Sequence, residues 1–229
     1  MPHQITIEFE KIYRKAFYGK AKKRYSGHLI YKDGKPADKL DVWGFEIKRS
    51  DSSQFSKSLQ ERIFNMLLRE NKSKDEVIRY IGDQIDRIRK GDYKLTEIGI
   101  PKGINKDLSE YGNKILLSDD GTVKHKSSVP ANIRGARYAV EELGHELSNK
   151  PKMVYITKMP EGYNPTDVIC FDEDEQVPPG MQIDVEKMLE KLVKDKVESI
   201  FEALGWKMSE LVYHWHGKPK KEEQLLLEL

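Results

Sequence analysis

The 229-residue sequence has a single cysteine, Cys170, so it holds neither a disulfide framework nor the thiols of a cysteine-ligated metal cage. Set between Ile169 and Phe171, that cysteine reads as a small buried strand residue in a reducing compartment. No apolar run approaches the 18 residues that mark a membrane-spanning helix, and the opening MPHQITIEFE lacks the layout of a secretion signal. Both absences lead us to expect a cytoplasmic protein. The P-loop, the GxSxG elbow and the HExxH helix are also missing, which removes three common catalytic classes. Nor is there an overall excess of one charge. Forty basic residues face 38 acidic ones, a net +2, so affinity for a polyanion must come from local segregation.

Such segregation is present in KIYRKAFYGKAKKRY, residues 11–25. It carries seven basic residues, no acid, and the interleaved aromatics Tyr13, Phe17, Tyr18 and Tyr25. Cations hold phosphates, and aromatic rings or phenols meet sugars and bases, so the segment has the composition of a nucleic-acid contact. A solvated strand face with half-buried rings has the same composition.

Along the chain, Ile5, Ile7 and Phe9 alternate with polar residues at the two-residue period of a strand. A strand beginning so near residue 1 is expected to pair with something outside the chain. Residues 28–31 form a second strand, closed by the Asp33-Gly34 hairpin signal, and residues 42–48 a third extended segment. Near Arg49 the pattern turns helical: Phe55, Leu59, Ile63, Met66 and Leu67 follow a cap in which Asp51 and Gln54 have capping-box spacing. A second helix starts at a Ser73/Glu76 capping box, carries the stripe Val77, Ile78, Ile81, Ile85 and Ile88, and stops at Gly91. A Pro/Gly loop at 99–106 presents Lys102 and Lys106. Residues 116–128 read as a hairpin turning at 119–121, and 132–143 as a helix with Arg134 and Arg137 on one face. Strands at 153–157 and 167–171 precede the acidic run at 172–175, which reads as a solvated loop rather than a metal site. A long helix capped by Asp184 ends at Gly205. His214 and His216 lack a third ligand nearby, and the tail from 207 to 229 is charged and without clear pattern.

The order of the basic residues adds a resemblance. Lys22-Lys23-Arg24-Tyr25 resembles the KKRY motif in the palm of family B DNA polymerases. DVWGFEIKRSD at 41–51 resembles the passage from that palm into the thumb, and DVICFD at 167–172 with EALGW at 202–206 resembles the thumb's end. The resemblance implies an α+β fold: short antiparallel palm-edge strands at 1–48, a mainly helical thumb with a small β element at 49–206, and a tail at 207–229. It also implies roles for particular residues. Lys23 reaches minor-groove acceptors near the primer terminus, Tyr25 touches a primer phosphate, and Lys22 and Arg24 serve as backbone contacts or palm ion pairs. Lys102, Lys106, Arg134 and Arg137 are weaker candidates for duplex contacts.

The family's metal-binding motifs, YGDTDS-like and SLYPS-like, do not occur in this sequence. Nucleotide addition uses two carboxylate-held metals. The resemblance therefore implies a small subunit of a split polymerase, without catalytic residues or metal of its own and inactive alone. A larger partner carries the aspartates and Mg2+, and Ile5, Ile7 and Phe9 face that partner. Gln224 and Leu227 resemble the start of a sliding-clamp-binding box, without its aromatic pair. A stand-alone duplex-binding module and a structural assembly protein are the alternative readings.

Overall fold

The computed structural model describes residues 9–112, 114–117, 123–127 and 129–211, with 114–117 and 123–127 described by their backbone alone. The architecture is α+β, as the resemblance implies. Its described residues fall into two compact units, one drawn from Met1–Arg49, Ser56–Lys90 and Val193–Leu229, the other from Ser50–Phe55 and Gly91–Leu192.

The first unit contains a three-stranded antiparallel sheet in the order β1 (Lys11–Tyr18), β2 (Tyr25–Lys32), β3 (Lys35–Trp43). Asp33 and Gly34 have φ of 47° and 79°, the paired positive values of a tight hairpin turn. The basic segment is itself the first described strand. Ile5 and Ile7 lie outside the described residues, and Phe9 precedes β1 and is 77% exposed. The extended segment expected at 42–48 is corrected: β3 ends at Trp43, Gly44 turns the chain at φ 73°, and Glu46–Lys48 form a 3-10 turn.

Helices α1 (Gln54–Leu68) and α2 (Lys74–Arg89) follow the expected stripes, with Leu59, Ile63, Phe64, Val77, Ile81, Ile85 and Ile88 buried. The sheet is fastened to α1 by rings. Phe64 lies 5.4 Å from Phe17 of β1 and 4.8 Å from Phe45, and Lys15 of β1 donates to the Leu67 carbonyl at 2.9 Å. Buried Gln60 accepts from the Glu46 amide at 3.0 Å and donates to the Lys196 carbonyl at 2.8 Å, so one amide side chain ties three segments of the unit together.

In the second unit, α3 (Leu95–Ile98) leads into β4 (Ile100–Pro101), and the backbone at β5 (Lys114–Leu117) and β6 (Val123–Ser127) pairs as the expected hairpin. Helix α4 (Ala131–Arg137) continues through a π-helical turn at Tyr138–Glu142. It lies on a sheet in the order β4, β7 (Lys152–Lys158), β8 (Val168–Phe171), with β9 (Gln182–Ile183) also pairing with β7. Ala136, Met153, Val168 and Cys170 share that core. Cys170 donates to the Asn132 carbonyl, and burial pushes its thiol up to about 12, so it is an inert core residue as the sequence suggests. The acidic run is used locally. Asp172 accepts from the amide and hydroxyl of Ser148, and Asp174 accepts from the Leu95 and Thr96 amides at the start of α3. The helix expected from Asp184 starts in this unit as α5 (Val185–Leu189), with Asp184 accepting from the Lys187 amide, and passes through a π-helical turn; α6 (Asp195–Leu204), ended by left-handed Gly205, is counted with the first unit. Among the described residues no helix is long and apolar enough to cross a membrane.

The capping box of α2 gives a test of the local reading. The Ser73 hydroxyl accepts from the Glu76 amide, and Glu76 accepts from the Ser73 amide and from Lys72. Hydrogen bonds from Lys72 and then Ser73 hold the Glu76 carboxyl down to about 2. Ser73→Ala is expected to cost about 1 kcal/mol in urea unfolding at neutral pH. A depressed carboxylate stabilises the fold above its ordinary value of 4.5 and ceases to do so as pH falls toward 2. The difference between wild type and Ser73→Ala should therefore narrow across that window, as measured by unfolding at stepped pH.

Candidate nucleic-acid interface

The basic motif occupies the turn between β1 and β2. The Gly19 amide donates to the Arg24 carbonyl at 2.9 Å, closing the loop, and Lys20, Lys22 and Lys23 are exposed around it. Lys23 has φ 61°, a left-handed conformation uncommon for a lysine. Gly44 makes that possible. A Cβ on Gly44 would stand 2.3 Å from the Lys23 carbonyl oxygen and 2.9 Å from Arg24 Cγ, so only a glycine lets the end of β3 pass beneath the turn. Next to it, buried Phe45 forms the floor. Its ring lies under the Arg24 guanidinium at 5.9 Å, and its Cζ would meet a Cβ on Gly19 at 3.5 Å. The turn is thus built on packed aromatic carbon, and its lysines are lifted into water.

Not every cation of the segment is exposed for binding. The Lys11 ammonium pairs with Asp41 at 3.0 Å, and Lys15 is held by the Leu67 carbonyl and the Asn71 side chain. Arg14 and Lys15 on the strand are exposed together with Lys20, Lys22 and Lys23 of the turn, and of these Lys15 is tied to protein acceptors.

On the sheet face opposite Phe17, Tyr18, Tyr25 and Trp43 stand in register across the three strands. Tyr25 lies 6.3 Å from Tyr18, 6.4 Å from Trp43 with nearly parallel rings, and 6.5 Å from Tyr13 edge-on. The Tyr13 hydroxyl donates to Asp41 at 2.5 Å. Burial and then that bond push the Tyr13 phenol well above its ordinary value. Burial pushes the Asp41 carboxyl up, but hydrogen bonds from Tyr13 and Lys11 outweigh it and leave the carboxyl below its ordinary range. Asp41, Trp43 and Gly44 did not stand out as site residues in the sequence. Their signal in the sequence is the segment 41–51 that resembles the passage from palm to thumb.

Of the other predicted contacts, all in the second unit, Lys106 is exposed and Lys102 half-buried, its amide bonded to the Pro151 carbonyl. The two arginines serve the protein itself. Arg134 pairs with Asp167 and the Val129 carbonyl, and Arg137 donates to the carbonyls of Leu108 and Tyr111. Gln224, Leu227, His214 and His216 lie outside the described residues. No group of three His, Cys, Asp or Glu side chains able to hold a metal occurs among the described residues.

The KKRY order thus sits on a basic turn with Gly44 and Phe45 packed against it. The family model of DNA polymerase family B matches residues 1–204. The chain belongs to that family. DNA polymerase 2 of Aeropyrum pernix is 34% identical over 107 residues, covering 47% of this chain and 12% of that protein. The DNA polymerase of Thermococcus hydrothermalis is 26% identical over 213 residues, 93% of this chain and 11% of that polymerase. That of Thermococcus gorgonarius is 25% identical over the same length, with 24% of the polymerase covered. The chain thus spans a small part of the length of these family B relatives.

The geometry beneath the motif predicts the effect of a methyl group. Gly44→Ala should displace the Lys23 carbonyl and strain a backbone held at φ 73°, costing at least about 1 kcal/mol of stability by urea unfolding. In amide spectra the largest shifts should fall at residues 19–24, with α2 resonances unmoved.

Proposed function

We propose that this chain is the small subunit of a split family B DNA polymerase, completing the palm of a larger partner and supplying a thumb for primer-template duplex. In this reading residues 1–48 form the palm edge and 49–206 the thumb. The partner carries the aspartates and Mg2+ that activate the primer hydroxyl and stabilise the leaving pyrophosphate. The 229 residues carry neither a YGDTDS-like nor a SLYPS-like motif, so in this reading the metal-binding aspartates lie outside them.

The observation that carries the reading is the Lys22–Tyr25 turn, with lysines raised on an apolar floor and a tyrosine held among rings. Lys23 reaches minor-groove acceptors common to correct base pairs, Tyr25 meets a primer phosphate, and Lys22 and Arg24 line the backbone. Lys102 and Lys106 approach the duplex from the thumb. Arg134 and Arg137 serve it indirectly by holding the segments at 129, 108 and 111 in place.

The deciding experiment is affinity purification of the tagged chain from its native cells, followed by mass spectrometry. A stoichiometric larger chain bearing the two missing motifs, and primer extension by the pair, is the expected result. If no such chain is recovered and the protein binds duplex without preference for a primer end, it is a lone DNA-binding module. Within the assembled pair, Lys23→Ala should weaken primer-end binding and extension while leaving assembly with the partner intact. Unchanged extension would remove Lys23 from the role given it here.

A further inference from the structure

Trp43 is a large aromatic side chain left 55% exposed at the end of an edge strand, so burial does not account for it. Its surroundings do. Directly across the strand pair stands Tyr25, whose ring lies 22° from parallel to the indole. On the other side, Tyr18 and Tyr13 of β1 complete a three-sided enclosure of the Tyr25 ring. The enclosure is itself fixed. Tyr13 is tied by its hydroxyl to Asp41 and lies so close over Gly27 that a Cβ there would come within 2.4 Å of the ring. The same Asp41 oxygen holds the Lys11 ammonium, which sits 5.8 Å from the center of the Trp43 ring. One carboxylate oxygen thus orients both the edge-on and the parallel neighbour of Tyr25.

We infer that Trp43 is a positioning residue: it holds the Tyr25 ring, through a clamp shared with Tyr13 and Asp41, in the direction needed to meet the nucleic-acid backbone. The inference rests on the proposed role of Tyr25 as a primer contact and adds what fixes it. A tyrosine on a turn free to swing between rotamers would lose side-chain entropy on binding. Stacking against an indole removes that loss in advance, and an aromatic pair of this kind holds its geometry without being buried. Trp43 itself does not need to reach the DNA.

The test has two parts, both on the full chain. In the first, Tyr25 ring resonances, assigned with Tyr25→Phe, are followed in the free protein. Trp43→Ala should shift them away from their ring-current position, and Trp43→Phe should largely restore them. Unmoved resonances in Trp43→Ala would overturn the inference before any DNA is added. In the second, a fluorescein-labelled primer-template duplex with a single-stranded overhang is titrated at low salt. Trp43→Ala should weaken binding about three- to tenfold, Trp43→Phe less, and the double variant Trp43→Ala/Tyr25→Ala no further than Tyr25→Ala alone. Losses that simply multiply in the double variant would mean that Trp43 acts independently of Tyr25, which also overturns the inference. Should Tyr25→Ala bind as tightly as wild type, the primer-contact reading of Tyr25 fails, and the inferred purpose of the clamp fails with it. The resonance shifts would still show separately whether the clamp exists.

Discussion

The burial of Phe45 is the constraint on which the rest of the basic site depends. Its ring is 1% exposed and packs on Phe64 of α1 and on Phe17 of β1, three rings that join sheet and helix at one point. Removing such a side chain from a core costs about 3–5 kcal/mol, a large part of a domain's whole stability. With Phe45 drawn inward, the chain leaving β3 has to reverse at the preceding residue, and Gly44 supplies the positive φ. The reversal brings backbone against the Lys23 carbonyl and sets the left-handed lysine above. A hydrophobic anchor thereby dictates the shape of a polar surface.

The same arrangement explains how a nearly neutral chain concentrates positive charge. Lys11 and Lys15 lie on the strand and are consumed by Asp41, Leu67 and Asn71, where they fix the sheet's two faces. The lysines of the turn project beyond both faces and stay exposed. Exposed cations held on a rigid support lose little freedom when they meet phosphates, whereas a flexible basic tail would lose more. Strain at Lys23 is therefore well supported by its surroundings, as strained residues at functional sites usually are.

How much of this could be read from the sequence depended on whether a signal was local. The Asp33-Gly34 turn, the Ser73/Glu76 capping box and the helical stripes each involve a few neighbouring residues, and all appear as written. The first strand was harder, because exposed lysines interrupt its alternation and Arg14 is an extra residue where the β1–β2 register shifts. The place of Trp43 could not be counted out at all. Counting outward from the two-residue turn sets Tyr25 opposite Val42. An irregularity where Ala37 and Asp38 face the single residue Ile30 moves the partner by one, to Trp43. A one-residue slip exchanges faces, and only the folded sheet reveals it. Arg134 and Arg137 have the same explanation in reverse. Their spacing on a helix is visible in the sequence, but the carbonyls of Leu108 and Tyr111 that occupy Arg137 come from more than 25 residues away.

The division between arginines and lysines bears on how firmly this chain alone would hold DNA in the proposed reading. The guanidinium forks of Arg134 and Arg137 are spent on fixed protein acceptors, which suits a planar group with several donors, while the point charges of Lys20, Lys22 and Lys23 remain exposed. In that reading Lys22 and Arg24 line the backbone, so roughly two phosphates are neutralised and the salt slope is near two, well below that of proteins making six to ten such contacts. A footprint of that size positions a duplex without retaining it. Firm retention would then need cations outside this turn. The turn's contribution is direction more than strength, which is why its geometry is so heavily braced.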